Sequence, residues 1–414
     1  MARFSGGGTP TRDNPDFWNG DIPWVSPKDM KTQFITGAEE CITAEGLAGS
    51  SSSMVPSERV LMVVRSGILK HTIPVAINTV PVALNQDMKA IFLDPDYLSA
   101  RFFMRWVQGL NHDLLKVWLK QGATVESIEQ DYLSDTLMPV PPVSERELIV
   151  KCLDRETVRI DALIEKKTRF IELLREKRQA LITHAVTQGL DPSVKMKNSG
   201  VEWLGEVPEH WEIKQLKHVV DPNSSITYGI VQAGPEFLGG VPYIRTSDMS
   251  ADELPISGYP LTSPEIDESY ARSRVRPGDI VMSIRASVGK CLPVPEDLSV
   301  ANLTQGTAKV SPGNAITRDF LLTFLNSSAA QVYFDLMAKG ATFKEITLDA
   351  LRRTPVLVPP QTEQKEIDQF IARHIGRLNQ LCLLSERSIG MLKERRSALI
   401  TAAVTGQIDL REAV

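Results

Sequence analysis

The side chains of this sequence that could ligate a transition metal or attack a substrate are six histidines (His71, His112, His184, His210, His218, His374) and four cysteines (Cys41, Cys152, Cys291, Cys382). Their spacing supports neither use. There is no H-E-x-x-H, no Cys-x-x-Cys, and no histidine at ligand spacing from a cysteine, so no metal site is expected. Ser287-Val288-Gly289-Lys290 has the S-x-x-K spacing of an activated serine, but no K-T-G accompanies it, and it reads as a turn carrying a surface lysine. Glu165-Lys166-Lys167 offers the E-x-K end of a metal-dependent nuclease, yet it is far along the chain from Pro15-Asp16 and Pro95-Asp96. Gly6-Gly7-Gly8 is a turn-forming run. Neither G-x-x-x-x-G-K-[ST] nor G-x-G-x-x-G occurs, so backbone cradles for nucleotide phosphates or a dinucleotide are not expected. An Asn-Pro-Pro-aromatic tetrad of the amino-methyltransferase kind is also missing. The expectation is a binding or assembly component with no catalysis and no cofactor of its own.

Composition narrows the class. The chain has 414 residues, 42% apolar and 23% charged, with 26 Gly and 26 Pro and a mean hydropathy of -0.11. These values exclude fibrous and disordered classes and allow two or three domains. No run of apolar residues approaches a membrane span, and Met1-Ala2-Arg3-Phe4 has no apolar leader core, so a cytoplasmic protein without membrane contact is expected. A net charge of -5 argues against a simple basic sleeve for nucleic acid.

The elements come from an internal repeat. Residues 122–142 (GATVESIEQDYLSDTLMPVPP) realign with 340–360 (GATFKEITLDALRRTPVLVPP) at a shift of 218, and the same shift carries 176–187 onto 394–405. Upstream, 22–30 (IPWVSPKDM) matches 241–249 (VPYIRTSDM), and Leu84-Asn85-Gln86 matches Leu303-Thr304-Gln305, both at 219. The chain is therefore two copies of one unit, a globular module followed by a Pro-Pro hinge and a long helix. The four segments are 1–139 and 196–357, the modules, and 140–195 and 358–414, the helices. Ser144-x-x-Glu147 after Pro141-Pro142 reads as a capping box, and Gly189 and Gly406 as helix stops.

Stepping alternately four and three residues gives an apolar stripe at Ile149, Leu153, Ile160, Leu163, Leu174 and Leu181, repeated at Ile367, Ile371, Leu378, Leu381, Leu392 and Leu399. That period predicts an antiparallel coiled-coil seam, in helices roughly 60 Å long at about 1.5 Å per residue. A polar pair at Leu163 and Leu381 is expected to loosen it. Within the modules, 60–64, 73–77, 279–284 and 292–294 are short apolar runs that read as strands, with helices near 95–120 and 317–338. The fold class is α+β, two pseudo-symmetric mixed modules and two long helices.

A duplicated module held apart by paired rods suits a target with two separated half-sites, such as DNA read one helical turn or a multiple apart. At this point the chain resembles the specificity subunit of type I restriction-modification systems. The resemblance rests on Ile22 to Met30, on Lys177-Arg178-Gln179-Ala180-Leu181-Ile182-Thr183, on the run from Val201 to Trp211 (VEWLGEVPEHW), and on 396–406 (RSALITAAVTG). It implies two target-recognition domains that read an asymmetric bipartite double-stranded DNA sequence. It also implies two docked modification (adenine methyltransferase) subunits and ATP-dependent restriction subunits. S-adenosylmethionine, ATP and Mg would then belong to the partners.

Regional charges of -4 for each module, +2 for 140–195 and +1 for 358–414 leave base reading to local patches. Loop residues able to match base edges and phosphates are Thr9, Thr11, Arg12, Lys28, Arg65, Lys70, His71, Asn85 and Gln86 in the first module. In the second they are Thr227, Tyr228, Arg245, Ser247, Arg285, Ser287, Lys290, Asn302, Thr304 and Gln305. The lead-in Pro208 to Leu216 ahead of the second module has no equivalent ahead of the first, which leaves the first module's completeness in question. A non-DNA scaffold joining two protein-binding modules is the reading from another class, and an adjacent adenine methylase gene would discriminate the two.

Overall fold

The computed structural model describes residues 2–340 and 344–409, so Met1, 341–343 and 410–414 of the segments above lie outside the described residues. Packing divides the chain in two. One unit is Met1–Thr168 with Glu386–Val414, and the other is Arg169–Ser385. Each unit thus takes one module together with stretches of both long helices, so the compact bodies cut across the four sequence segments.

The two modules share a core plan. In the first unit a sheet runs in the order Ala2–Gly6, Met88–Leu93, Val60–Val63, Val75–Asn78, with the short strand Phe34–Ile35 added parallel at its end. In the second the order is Thr227–Tyr228, Thr307–Val310, Ile280–Ser283, Cys291–Pro293. A smaller sheet accompanies each: Cys41–Ile42, Trp18–Val25, Ala83–Leu84 in the first, and Leu261–Thr262, Val241–Ile244, Asn302–Leu303 in the second. In both small sheets the central strand pairs antiparallel on one side and parallel on the other. The expected strands form because Val60–Val63 and Ile280–Ser283 are buried on both faces, and a short β-branched run covered on both sides satisfies its backbone in a ladder.

Helices close each module over these sheets. Ser99 caps Ala100–Gly109 by accepting from the Phe102 amide, and Thr317 caps Arg318–Leu325 by accepting from the Phe320 amide. Phe102 and Phe320, 218 apart, are both fully buried. In the first unit Arg105, itself buried, reaches the first long helix and donates from Nη2 to Asp154 at 2.5 Å.

The long helices are Val143–Gln188 and Gln361–Val404. The first starts one residue ahead of the expected cap: the Pro142 carbonyl accepts from the Arg146 amide, which places Ser144 inside the first turn rather than at the cap. Both stops are as expected, with Gly189 and Gly406 in the left-handed region at φ 77 and 72. In the first unit Arg396 Nε lies 2.9 Å from Asp161, and in the second Arg178 donates to Asn379 at 3.4 Å. Within the first unit Glu145 and Ile149 lie beside Ala403 and Gly406 while Asp161 meets Arg396, so positions rise along one helix as they fall along the other and the paired stretches are antiparallel.

The seam has a different period from the one expected. Ile149, Leu153, Ile160, Leu174, Ile367, Ile371 and Leu378 are buried, but Leu163 and Leu381 are 41% and 38% exposed, and Leu181, Leu392 and Leu399 are half-buried. Ile149, Ile160, Ile171 and Ile182, each eleven residues on, are all buried. Ile367, Leu378, Ile389 and Ile400 repeat the spacing, with only Ile389 half-buried. Eleven residues make three turns at about 3.67 per turn, close to a straight helix, whereas a heptad drifts by about 20° each repeat. Leu163 is itself eleven residues from the buried Cys152 and Leu174, so its exposure reflects thinner covering at that point and not the change of period.

Candidate nucleic-acid interface

In both modules the site is a chain crossing. In the second, the Gly229 amide donates to the Thr304 carbonyl, the Gln305 amide to Ile230, and the Thr304 amide to Ile244, so three segments meet beside one another. A Cβ on Gly229 would stand 1.9 Å from the Leu303 oxygen, which is why glycine occupies this point. The first module repeats it: the Gly8 amide donates to Leu84, the Asn85 amide to Val25, and a Cβ on Gly7 would lie 2.2 Å from the Leu84 oxygen.

Around the second crossing an open cleft of about 390 Å³ gathers Arg245, Ser247, Arg285, Thr304 and Gln305 with Thr246. Five residues expected from sequence are thus brought together. Arg245 leaves the end of the strand Val241–Ile244 and donates to Asp248 at 2.9 Å, a pairing that raises its pKa. Arg285 follows the strand Ile280–Ser283 and lies 3.0 Å from Glu345, and the next residue, Ala286, is in the left-handed region at φ 61. Both guanidinium groups are oriented by a carboxylate yet remain partly open. A planar fork held this way can donate to phosphate or to a guanine edge.

The other second-module residues divide by burial. Tyr228 and Ser287 are exposed. Lys290 donates to the carbonyls of Ser250 and Ala251, at 3.1 and 2.6 Å, and ties two loops together. Thr227 is buried. Asn302 is a correction: it is fully buried, donates to Asp267 at 2.7 Å and accepts from Ser273 at 2.7 Å, so its amide is consumed inside the module and reaches no base.

In the first module Thr9 and Gln86 touch across the crossing, and Thr11, Lys28, Arg65, Lys70 and His71 are exposed. Asn85 is a second correction, because its side chain is buried and accepts from the Asp87 amide at 3.0 Å. Arg12 is the most constrained basic group: it grips Glu40 at 2.6 and 3.0 Å and lies 4.0 Å over Trp18 and 5.3 Å from Trp24. The hydrogen bonds to Glu40 raise the Arg12 pKa, and Arg12 in turn holds the Glu40 carboxyl below the usual range.

One repeated loop was not singled out from the sequence. Pro15-Asp16-Phe17-Trp18-Asn19-Gly20 and Pro235-Glu236-Phe237-Leu238-Gly239-Gly240 align at a shift of 220. Asn19 and Gly239 are both left-handed, at φ 61 and 76. Trp18 supplies the Arg12 platform, and Phe237 and Leu238 are exposed in the second copy. The signal was the shared pattern Pro-x-Phe-x-(Asn or Gly)-Gly at the same offset in both copies.

Among the described residues no group of three or more His, Cys, Asp or Glu could hold a metal, and no helix is long and apolar enough to cross a membrane. The four cysteines are free, and burial pushes the Cys291 thiol up, away from reactivity.

Comparison with known proteins points one way. The model of the family described as type I restriction modification DNA specificity domain matches residues 1–173 and 208–382. The specificity subunit of the Escherichia coli type I restriction enzyme EcoR124I/EcoR124II is 36% identical over 174 residues, covering 42% of this chain and 43% of that one. The Escherichia coli EcoBI specificity subunit is 26% identical over 339 residues, 79% of this chain and 70% of that one. A solved structure reported for the complex assembly and conformational transition of the type I R-M system shares the fold with a TM-score of 0.72, at 18% identity over 98% of both chains.

Proposed function

The chain belongs to the type I restriction-modification specificity family, and from that premise we propose that it reads a split double-stranded DNA target, one half with each repeat, and performs no catalysis itself. The observation that carries this reading is the repeated crossing, which in the second module collects Arg245, Ser247, Arg285, Thr304 and Gln305 in one open cleft. Oriented guanidinium and amide groups match base edges, while hydroxyls and backbone amides match phosphates. Thr9, Lys28, Arg65 and Gln86 are the first module's counterparts. Because the crossings are equivalent and their side chains are not, the two half-sites differ.

Two modification subunits dock on the long helices, and restriction subunits join that complex. What supports this is the apolar surface left outside the seam: Val158, Leu163 and Met391 in the first unit, and Phe170, Leu173, Leu383 and Leu384 in the second, are all exposed. Exposed apolar side chains along a helix suit contact with a protein partner. S-adenosylmethionine, ATP and Mg belong to those partners, and the protein works in the cytoplasm.

The test is methylome sequencing of cells expressing this chain with its neighbouring adenine methylase, against cells with the methylase alone. The expected result is a new split motif with methyladenine in both halves. A stable complex that yields no new motif would instead favour a protein-binding scaffold.

A further inference from the structure

In the first unit an open cleft of about 520 Å³ is lined by Arg12, Trp18, Asn19, Gly20, Glu39 and Glu40. None of Thr9, Lys28, Arg65 or Gln86 borders it, so it is a separate opening from the chain crossing. Its charges are already matched: Glu40 accepts from both Nη atoms of Arg12 at 2.6 and 3.0 Å, and Lys31 donates to Glu39 at 2.8 Å. The lining therefore offers a phosphate no unpaired cation among the described residues, and its two carboxylates oppose one.

The group left over is Asn19. Its side chain is exposed and makes no hydrogen bond among the described residues, so the donor and the acceptor of its amide are both free. Its backbone is left-handed at φ 61, and the next residue must be glycine, since a Cβ on Gly20 would stand 2.5 Å from the Ile42 oxygen. On its other side Trp18 is fixed: the indole N–H donates to the Thr11 carbonyl at 3.2 Å, the ring meets Trp24 edge-on at 5.3 Å, and Arg12 lies 4.0 Å over it. Trp24, itself buried, donates to the Gly8 carbonyl at 2.9 Å. A free amide thus stands on a rim that neighbouring contacts hold in place. The second copy shows that the amide is not needed for the turn, because its counterpart Gly239 has the same left-handed backbone, at φ 76, and no side chain.

We propose that this cleft is a base-reading site of the first module, in which Asn19 selects an adenine in one half of the target, and that Arg12, Glu40 and Trp18 are positioning residues that hold its rim and touch no base. An amide matches the N7 acceptor and N6 donor of adenine with two hydrogen bonds, and a charge-matched cleft suits a base edge better than a phosphate. The inference rests on the DNA reading above and adds a site to it, one for which the second module has no side chain at the equivalent position.

The experiment sequences the methylomes of cells expressing the neighbouring adenine methylase with the wild-type chain or its variants. Asn19→Gly keeps the left-handed backbone and removes the amide. It is expected to lose about tenfold preference for adenine at one position of one half of the motif, with the other half unchanged. On duplexes carrying 7-deazaadenine there, which lacks the N7 acceptor, the wild-type complex should bind about tenfold more weakly, and the Asn19→Gly complex no differently from adenine. Arg12→Gln and Glu40→Gln should each relax the same position several-fold, and the double variant no further than either. Melting curves check that the variants stay folded. An unchanged motif in Asn19→Gly overturns the proposal and leaves the DNA reading standing, as does relaxation at a base other than adenine or in both halves. A change of preference in Arg12→Gln that Glu40→Gln does not share would make Arg12 a base reader and overturn its positioning role. A wild-type chain that yields no motif overturns the DNA reading, and this site with it.

Discussion

The two modules keep the same chain crossing and differ in what surrounds it. In the second, Arg245 and Arg285 border an open cleft, each steadied by one carboxylate. In the first, the counterpart of Arg245 is Ser26, whose hydroxyl and amide are taken up by Asp29, and the prominent basic group, Arg12, is pinned between Glu40 and two tryptophans. The pairing also differs: Pro355–Val358 pairs with Glu212–Gln215, whereas 137–140 pair with no strand among the described residues. The frame is held by backbone contacts that side-chain changes leave alone, so the loops around it are free to diverge. That is the condition the proposed reading of two unlike half-sites requires.

The largest expected effect tests the lead-in that carries this pairing. Trp211→Ala should destabilise the second unit by about 3 to 5 kcal/mol, as loss of a buried large aromatic does, and chemical denaturation should show one unit melting early. If both melt unchanged, the lead-in is not part of that core. In the first unit, Asp154→Ala strands the buried Arg105 and should cost roughly 3 kcal/mol, read by the same denaturation.

Charge reversal sharpens the comparison at the clefts. On duplexes carrying the motif found by methylome sequencing, Arg285→Glu should weaken binding by the assembled complex by about tenfold or more and flatten its salt dependence. Arg65→Glu, on an exposed group without a cleft, should do less. Equal and negligible effects would remove the second-module cleft from the interface.

Asp368 gives a pH signature confined to the second unit. Burial pushes its pKa up to about 6, Asp319 adds to the rise, and the Thr317 hydroxyl only partly offsets it. A carboxyl raised in the folded state binds its proton more tightly there, so its contribution to stability falls as pH rises from about 4 through about 6. Asp368→Asn should flatten that slope and stabilise the unit at pH 7 by about 1 kcal/mol or less, because the group is only half-buried. A slope that persists in the variant would assign it elsewhere. The smallest change is expected from Leu163→Asn with Leu381→Asn, within about 0.5 kcal/mol, since both side chains are exposed. Ile160→Asn is the substitution that should open the seam in the first unit.

Much of the architecture was legible because it is periodic. The 218-residue repeat, the strands at 60–64 and 279–284, and the stops at Gly189 and Gly406 follow from residue types whose backbone preferences are local. The seam was legible only in outline: over two turns a spacing of about 3.5 and one of about 3.67 select the same residues, and neither tells that Leu163, eleven residues from the buried Leu174, is exposed. Arg245, Ser247, Arg285, Thr304 and Gln305, chosen from loop chemistry and repeat equivalence, line one cleft. Asn85 and Asn302 were not separable from them, since an amide on a loop looks alike whether it faces solvent or a buried Asp267.

The sequence by itself determined the duplication, the element types, the family and the lack of recognisable catalytic motifs, because each is written in local spacing. Tertiary structure alone decided which polar side chains stay open at the crossing, which positions of the long helices are buried, and that Glu212–Gln215 pairs with Pro355–Val358. Those properties depend on what else packs against a residue, and packing partners hundreds of positions away leave no mark on local spacing.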